Sequence, residues 1–225
     1  MSRLARWTRP AALAVAAGVL SVPMFPAVSH AQSAAFEGVV HITMTGDRGS
    51  IPVLYYIKGN VARMEMDAQG QEIAMIMNPA SGKTYMIMPS QQVYMEMDLK
   101  KMQEQAQQQM HDKDPQVNKT GRTETVAGRQ CEHWIISSGT DSADVCMAKG
   151  IGTFMQAMAP SMRQSEPAWQ REAREQGMFP LKVSVAGGRD VWQVTQIEKK
   201  SLDDSLFTPP SEYQKMSMPG LPGQP

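Results

Sequence analysis

Eight of the 20 methionines in this 225-residue chain fall into one repeated spacing: Met64-Glu-Met66, Met75-Ile-Met77, Met86-Ile-Met88 and Met95-Glu-Met97. A thioether has three kinds of use. It packs as flexible apolar bulk, which suits a filled core and equally a groove for variable hydrocarbon ligands. It ligates soft cations such as Cu(I). It also consumes oxidants reversibly as the sulfoxide. Side chains alternate across a β-strand, so each Met-x-Met turns both sulfurs to one face. The neighbours of these sulfurs on that face are Ile73, Thr84 and Val93 rather than His or Cys, which favours apolar packing or binding over copper.

Other chemistry is sparse. His30, His41, His111 and His133 show no metal-protease spacing, and the chain has no nucleophile elbow, phosphate loop or dinucleotide glycine fingerprint. Asp203-Asp204 reads as a turn and cap before Leu206. The expectation is therefore a non-enzymatic protein with no cofactor and no dedicated metal site. Cys131 and Cys146 are the only cysteines and lack the C-x-x-C spacing of redox catalysts, so a structural disulfide is expected.

The elements that must position the methionines follow from the turn residues between them. Gln69-Gly70, Pro79-Ala80-Ser81-Gly82 and Pro89-Ser90 separate four strands about ten residues apart. Hairpins of even loop length oppose residues whose numbers sum to an odd value, and the natural pairs are Met66 with Met75, Met77 with Met86, and Met88 with Met95. All eight methionines then line one surface. A one-residue slip would send a pair to the other side.

The sheet begins earlier, with Phe36–Met44 and Val53–Lys58, and Gly59-Asn60 turns into the methionine meander. Asp98 can cap a helix in which Leu99, Met102, Ala106 and Met110 recur at helical steps, ended by Asp114-Pro115. Asn118 to Arg122 reads as a loop. Residues 131–138 and 144–147 form a hairpin that the disulfide would staple, at about 3 kcal/mol in the chain-entropy account. Phe154, Met155, Met158 and Met162 give a second helical spacing broken at Pro160. A helix opening at Glu166-Pro167 and stopping at Gly177 would bury Trp169 and Ala173. Phe179–Val185 and Val191–Ile197 close the sheet around Gly187-Gly188.

Strands resume after the helices rather than alternating with them, which points to α+β architecture, mainly β. The expected fold is a curved antiparallel sheet, an incomplete barrel, with helices over its concave face. Leu99, Met102, Met110, Phe154 and Met158 would form that lid.

The chain opens with Arg3, Arg6 and Arg9, an apolar run from Ala11 to Leu20 too short to span a bilayer, and a small-residue site ending at Ala31. These features predict a secretory signal over 1–31, a domain over 32–215 and a Pro/Gly-rich disordered tail over 216–225. The leader holds three of the 22 basic residues and none of the 22 acidic ones, which leaves the mature chain at a net charge of −3. No basic block interleaves with aromatics, so no nucleic-acid partner is expected. No later segment is apolar for long enough to insert stably in a membrane. A soluble periplasmic or secreted protein is the expectation, with a lipid or other apolar ligand as its partner.

Phe36-Glu-Gly38, Tyr56-Ile-Lys-Gly-Asn60, Cys131-Glu-His-Trp134, Cys146-Met-Ala-Lys-Gly150, Gly177-Met-Phe-Pro-Leu181 and Asp204-Ser-Leu-Phe-Thr-Pro-Pro-Ser-Glu-Tyr213 occur in this order. Together they resemble the bacterial secreted family known as domain of unknown function 4412. That family is similar in turn to the periplasmic lipoprotein carrier and receptor (LolA/LolB-like) proteins. The resemblance implies an incomplete antiparallel barrel whose concave apolar face lies under helices, with the methionine surface as its inner lining.

Overall fold

The computed structural model describes residues 36–98, 116–152 and 168–216, apart from 48, 69 and 186. Among the described residues twelve strands form a single sheet: β1 (Glu37–Gly46), β2 (Gly49–Lys58), β3 (Val61–Ala68), β4 (Gln71–Asn78), β5 (Lys83–Met88), β6 (Val93–Asp98), β7 (Gln116–Val126), β8 (Arg129–Ser138), β9 (Asp141–Lys149), β10 (Met178–Val185), β11 (Arg189–Lys199) and β12 (Gln214–Met216). Their spatial order is β12-β6-β5-β4-β3-β2-β1-β11-β10-β9-β8-β7, so the sheet stays open, with β12 and β7 at its edges. All neighbours are antiparallel except β12, which runs parallel to β6 and pairs Met216 with Met95. The ordered sheet thus reaches into the first residue of the expected tail.

The expected loop at Asn118 to Arg122 is instead part of β7. Lys119 pairs with Trp134 and Thr123 with Glu132, and the extra residues between them are taken up in a bulge at which Gly121 adopts a φ of +71°. Flanking alternation on both sides of the bulge holds the segment in the ladder. Gly38 in β1 is required for a different reason: a Cβ there would stand 2.0 Å from the Glu198 carbonyl oxygen of β11. Only glycine allows the two strands to approach so closely.

The sheet bends far enough for β2 to meet β10, and the Tyr55 and Phe179 rings pack with centroids 5.8 Å apart. Around them lies the main core, which joins Val40, Ile42 and Val53 with Cys131, Cys146 and Leu181. Burial raises the Tyr55 hydroxyl well above its ordinary pKa. On the other side of β3–β6, Val39, Ala74, Ile76 and Ile87 pack against Leu202 and Phe207 of the C-terminal segment. A 3₁₀ turn over Asp204–Phe207 delivers Phe207, and the Asp203 side chain accepts a hydrogen bond from the Ser205 amide as the acidic pair predicts.

The described helix, α1 (Ala168–Glu175), ends where Gly177 takes a φ of +61°, as its sequence predicts. Ala173 packs with Trp134, Val145, Met147 and Met178, so α1 covers strands β8–β10 rather than the methionine strands. The expected lid residues Leu99, Met102, Met110, Phe154 and Met158 lie outside the described residues, as do the signal over 1–31 and positions 217–225. No described helix is long and apolar enough to cross a membrane.

Candidate functional site: a methionine-lined sheet face

The four strands β3–β6 place every Met-x-Met pair on one side, because the paired residues have the phase that alternation demands. The register differs by two from the expected one. Met64 faces Met75, Met75 faces Met86, and Met86 faces Met95, so one unbroken row of thioethers crosses four strands. A second row runs Ala62, Met77, Thr84, Met97. Met66 pairs with Ile73, and Met88 with Val93.

The turns set this register. Ala68 opposes Gln71 across a two-residue turn, held by the Gly70 amide donating to Asp67 Oδ1 at 2.6 Å. Asn78 opposes Lys83, and its Oδ1 accepts from the amides of Ala80 and Ser81 at 3.1 and 3.3 Å. Met88 opposes Val93 across Pro89–Gln92, where Gln92 takes a φ of +52°. Each turn closes one residue earlier than expected. The sum of opposed numbers therefore falls by two while the face is kept.

This face is uncharged and mostly apolar. It carries Val53, Tyr55 and Ile57 from β2, then Ala62, Ile73, Thr84, Val93 and the eight methionines, and no ionised side chain. Met64, Met66 and Met77 lean on the main core, Met95 and Met97 are buried at 9% exposure, and Met64, Met66, Met75, Met77, Met86 and Met88 are half-buried. Directly opposed side chains on such a surface have Cβ atoms about 4.5–5.5 Å apart, so adjacent thioethers in a row can touch one ligand together.

The reverse side of the same strands is charged. Arg63 Nε lies 2.6 Å from Glu65, and its Nη1 donates to the Leu206 carbonyl at 3.0 Å. Tyr56 donates to Glu65 at 3.0 Å, and burial with that carboxylate pushes the phenol up to about 12. A cleft of about 520 Å³ is lined by Pro52, Leu54, Arg63 and Glu72 of this reverse side and also by Met66 and Ile73 of the methionine face. Lys215 and Lys83 bracket Glu96 at 2.8 and 2.6 Å, which holds its carboxyl below the usual range and ties β12 to the edge of the sheet.

A second cluster lies in the cystine strands. Cys131 and Cys146 are joined, with Cα atoms 5.3 Å apart. Beside them His133 stands between Glu124, 3.2 Å from Nε2, and Asp144, 2.7 Å from Nδ1. Glu124, His133 and Cys146 offer ligand-type atoms within 4.8 Å of one another. The Cys146 sulfur is consumed by the disulfide, however, and Arg122 and Lys182 compensate the carboxylates at 2.5 and 3.4 Å. The arrangement is a neutralised ion network. Burial raises the Asp144 pKa, but hydrogen bonds from His133 and Arg122 outweigh it and hold the carboxyl low. No motif spacing signals this cluster; only the alternation of Cys131-x-His133 and Asp144-x-Cys146 places the four side chains on a common face.

The molecule is thus an open, mainly β sheet with one uncharged, sulfur-rich face and a disulfide at the far end. The chain belongs to the family described as Domain of unknown function (DUF4412), which it matches over residues 36–213. No curated protein matches it. Among solved structures it is similar to PNGF-II in space group C2, at 12% identity and a TM-score of 0.47 over 81% of this chain and 31% of that one. It is also similar to an uncharacterized conserved protein from Thermus thermophilus, at 8% identity and 0.48 over 82% of this chain and 91% of that one. A third likeness is to MucB in complex with MucA(peri), at 12% identity and 0.38 over 82% and 57%. The chain spans about a third of the PNGF-II chain, and no function passes to it from likenesses this loose.

Proposed function

We propose that this is a non-enzymatic periplasmic or secreted protein that binds an apolar ligand, an acyl chain or lipid, on the methionine face of β3–β6. The observation that carries the reading is the uncharged face itself: half-buried thioethers aligned in rows across four strands, with charge kept to the reverse side. Thioether side chains re-pack around irregular hydrocarbon with little strain. Each methylene transferred from water contributes about 0.8 kcal/mol, so a medium-length chain needs no directional contact to be held. The helical lid over this face, the signal peptide and the disulfide-permissive compartment belong to the same proposal.

Native mass spectrometry of gently purified protein should reveal copurified lipid, and an environment-sensitive acyl probe should brighten on binding. Met86→Gln, in the middle of the continuous row, should weaken the probe by about tenfold, because a dehydrated amide replaces a thioether. Absence of both copurified lipid and probe signal would sink the reading. The same row supports a second one, Cu(I) ligation or oxidant scavenging, since direct opposition puts neighbouring thioethers within reach of one soft cation. Anaerobic Cu(I) titration against a competing chelator decides it: retention of copper by the protein favours this reading, loss to the chelator favours the apolar one.

A further inference from the structure

The cleft of about 520 Å³ has the size of a small-molecule pocket, and its walls are unequal in charge. Pro52, Leu54, Pro89 and Tyr213 supply apolar surface, while Arg63, Glu65, Asp67 and Glu72 supply the ionisable groups. Two of the latter cancel. Arg63 Nε lies 2.6 Å from Glu65, its Nη1 donates to the Leu206 carbonyl, and the same carboxylate accepts from Tyr56. What remains is Asp67 and Glu72, directly opposed across β3 and β4 and exposed at the end of their hairpin. Asp67 Oδ1 accepts the Gly70 amide, and among the described residues no cation pairs with either carboxylate. Like charges set opposite each other on a sheet destabilise it. An ammonium between them would offset that repulsion.

We infer that this cleft binds a small organic amine in its ammonium form, with the head between Asp67 and Glu72 and a compact hydrocarbon body against Pro52, Leu54 and Tyr213. Its charged groups stand on the reverse of the methionine strands, so the inference goes beyond the acyl-ligand reading and does not depend on it. Charge complementarity selects the occupant. A carboxylate or phosphate would meet two uncompensated negative charges, with Arg63 already engaged by Glu65 and the Leu206 carbonyl. A bare inorganic cation would leave the apolar walls unused, and a neutral hydrocarbon would leave the carboxylates without a counter-charge.

The test is an NMR titration of the nitrogen-labelled full-length protein with phenylbutylamine, phenylbutanol and phenylbutyrate, which share one hydrocarbon body and differ in the charge of the head. The amine should shift the amide resonances of Glu65, Asp67, Glu72 and Ala74 and bind about fivefold more tightly than the alcohol, with the carboxylate weakest. Asp67→Asn with Glu72→Gln, which keeps side-chain size, should bring the amine to the level of the alcohol and leave the alcohol unchanged. Asp141→Asn with Glu175→Gln removes the same net charge from exposed positions at the disulfide end of the molecule and should leave the amine preference intact. An amine that fails to shift those four amides, or binds no better than the alcohol, overturns the inference. So does an Asp67→Asn, Glu72→Gln protein that keeps the preference. A distant pair of substitutions that abolishes it equally would trace the preference to overall charge and overturn the inference as well.

Discussion

The two ends of the sheet solve the problem of holding a long, open layer together in opposite ways. In β7–β10 the strands are stapled by Cys131–Cys146 and by the Arg122–Asp144–His133–Glu124–Lys182 network, and α1 packs on Trp134. In β3–β6 there is no cystine; one face is braced by Leu202 and Phe207, and the other presents flexible thioethers. Directional bonds fix geometry, whereas methionine packing keeps a surface adaptable. The contrast teaches where this molecule is rigid and where it is able to receive something.

The largest effect should come from the place where the two regions join. Phe179→Ala removes a fully buried ring packed on Tyr55, and should cost about 4 kcal/mol in denaturant unfolding. A loss below about 1 kcal/mol would mean that the ends of the sheet are stable independently. Next is the staple: Cys131→Ser with Cys146→Ser opens a link between residues 15 apart, at about 3 kcal/mol. Amide exchange should speed up in β7–β9 and change little in β3–β6; uniform acceleration would erase the distinction drawn between the two ends.

A smaller effect is expected from Met75→Leu with Met86→Leu. These near-isosteric swaps should each cost less than about 1.5 kcal/mol yet narrow the range of chain lengths bound, read by displacement with a series of acyl chains. An unchanged range would show that adaptability does not reside in the thioethers. The smallest effect concerns acid. Because the folded Asp144 pKa is depressed, its contribution to stability is complete above the ordinary carboxylate range and disappears as pH falls through the folded value. Asp144→Asn should thus cost about 1 kcal/mol near neutrality. The gap from wild type should close below about pH 4, and a gap that widened in acid would assign the network the wrong sign.

How much of this was legible in the sequence varies from segment to segment. The Met-x-Met spacing announces strands with a sulfur face, and the spacing of Cys131 and Cys146 announces their bond. The register was legible only in its parity. Which residue faces which depends on where each turn closes, and that was decided by Asp67 capturing the Gly70 amide and Asn78 capturing those of Ala80 and Ser81. The bulge at Gly121 hid β7 from sequence reading because two extra residues break its alternation. Nothing in sequence spacing announced that Leu202 and Phe207 would brace the reverse of the methionine strands, since that contact joins residues more than a hundred positions apart.

The sequence by itself determined the side to which each side chain points, because alternation along an extended backbone is a local property that every strand carries within itself. Only the tertiary structure decided which methionines stand in one row, that Thr84 is left among them without a partner, and that His133 is shared by two carboxylates. Those are relations between strands, set by turn closure, bulges and sheet bending, and they come into being only when the strands meet.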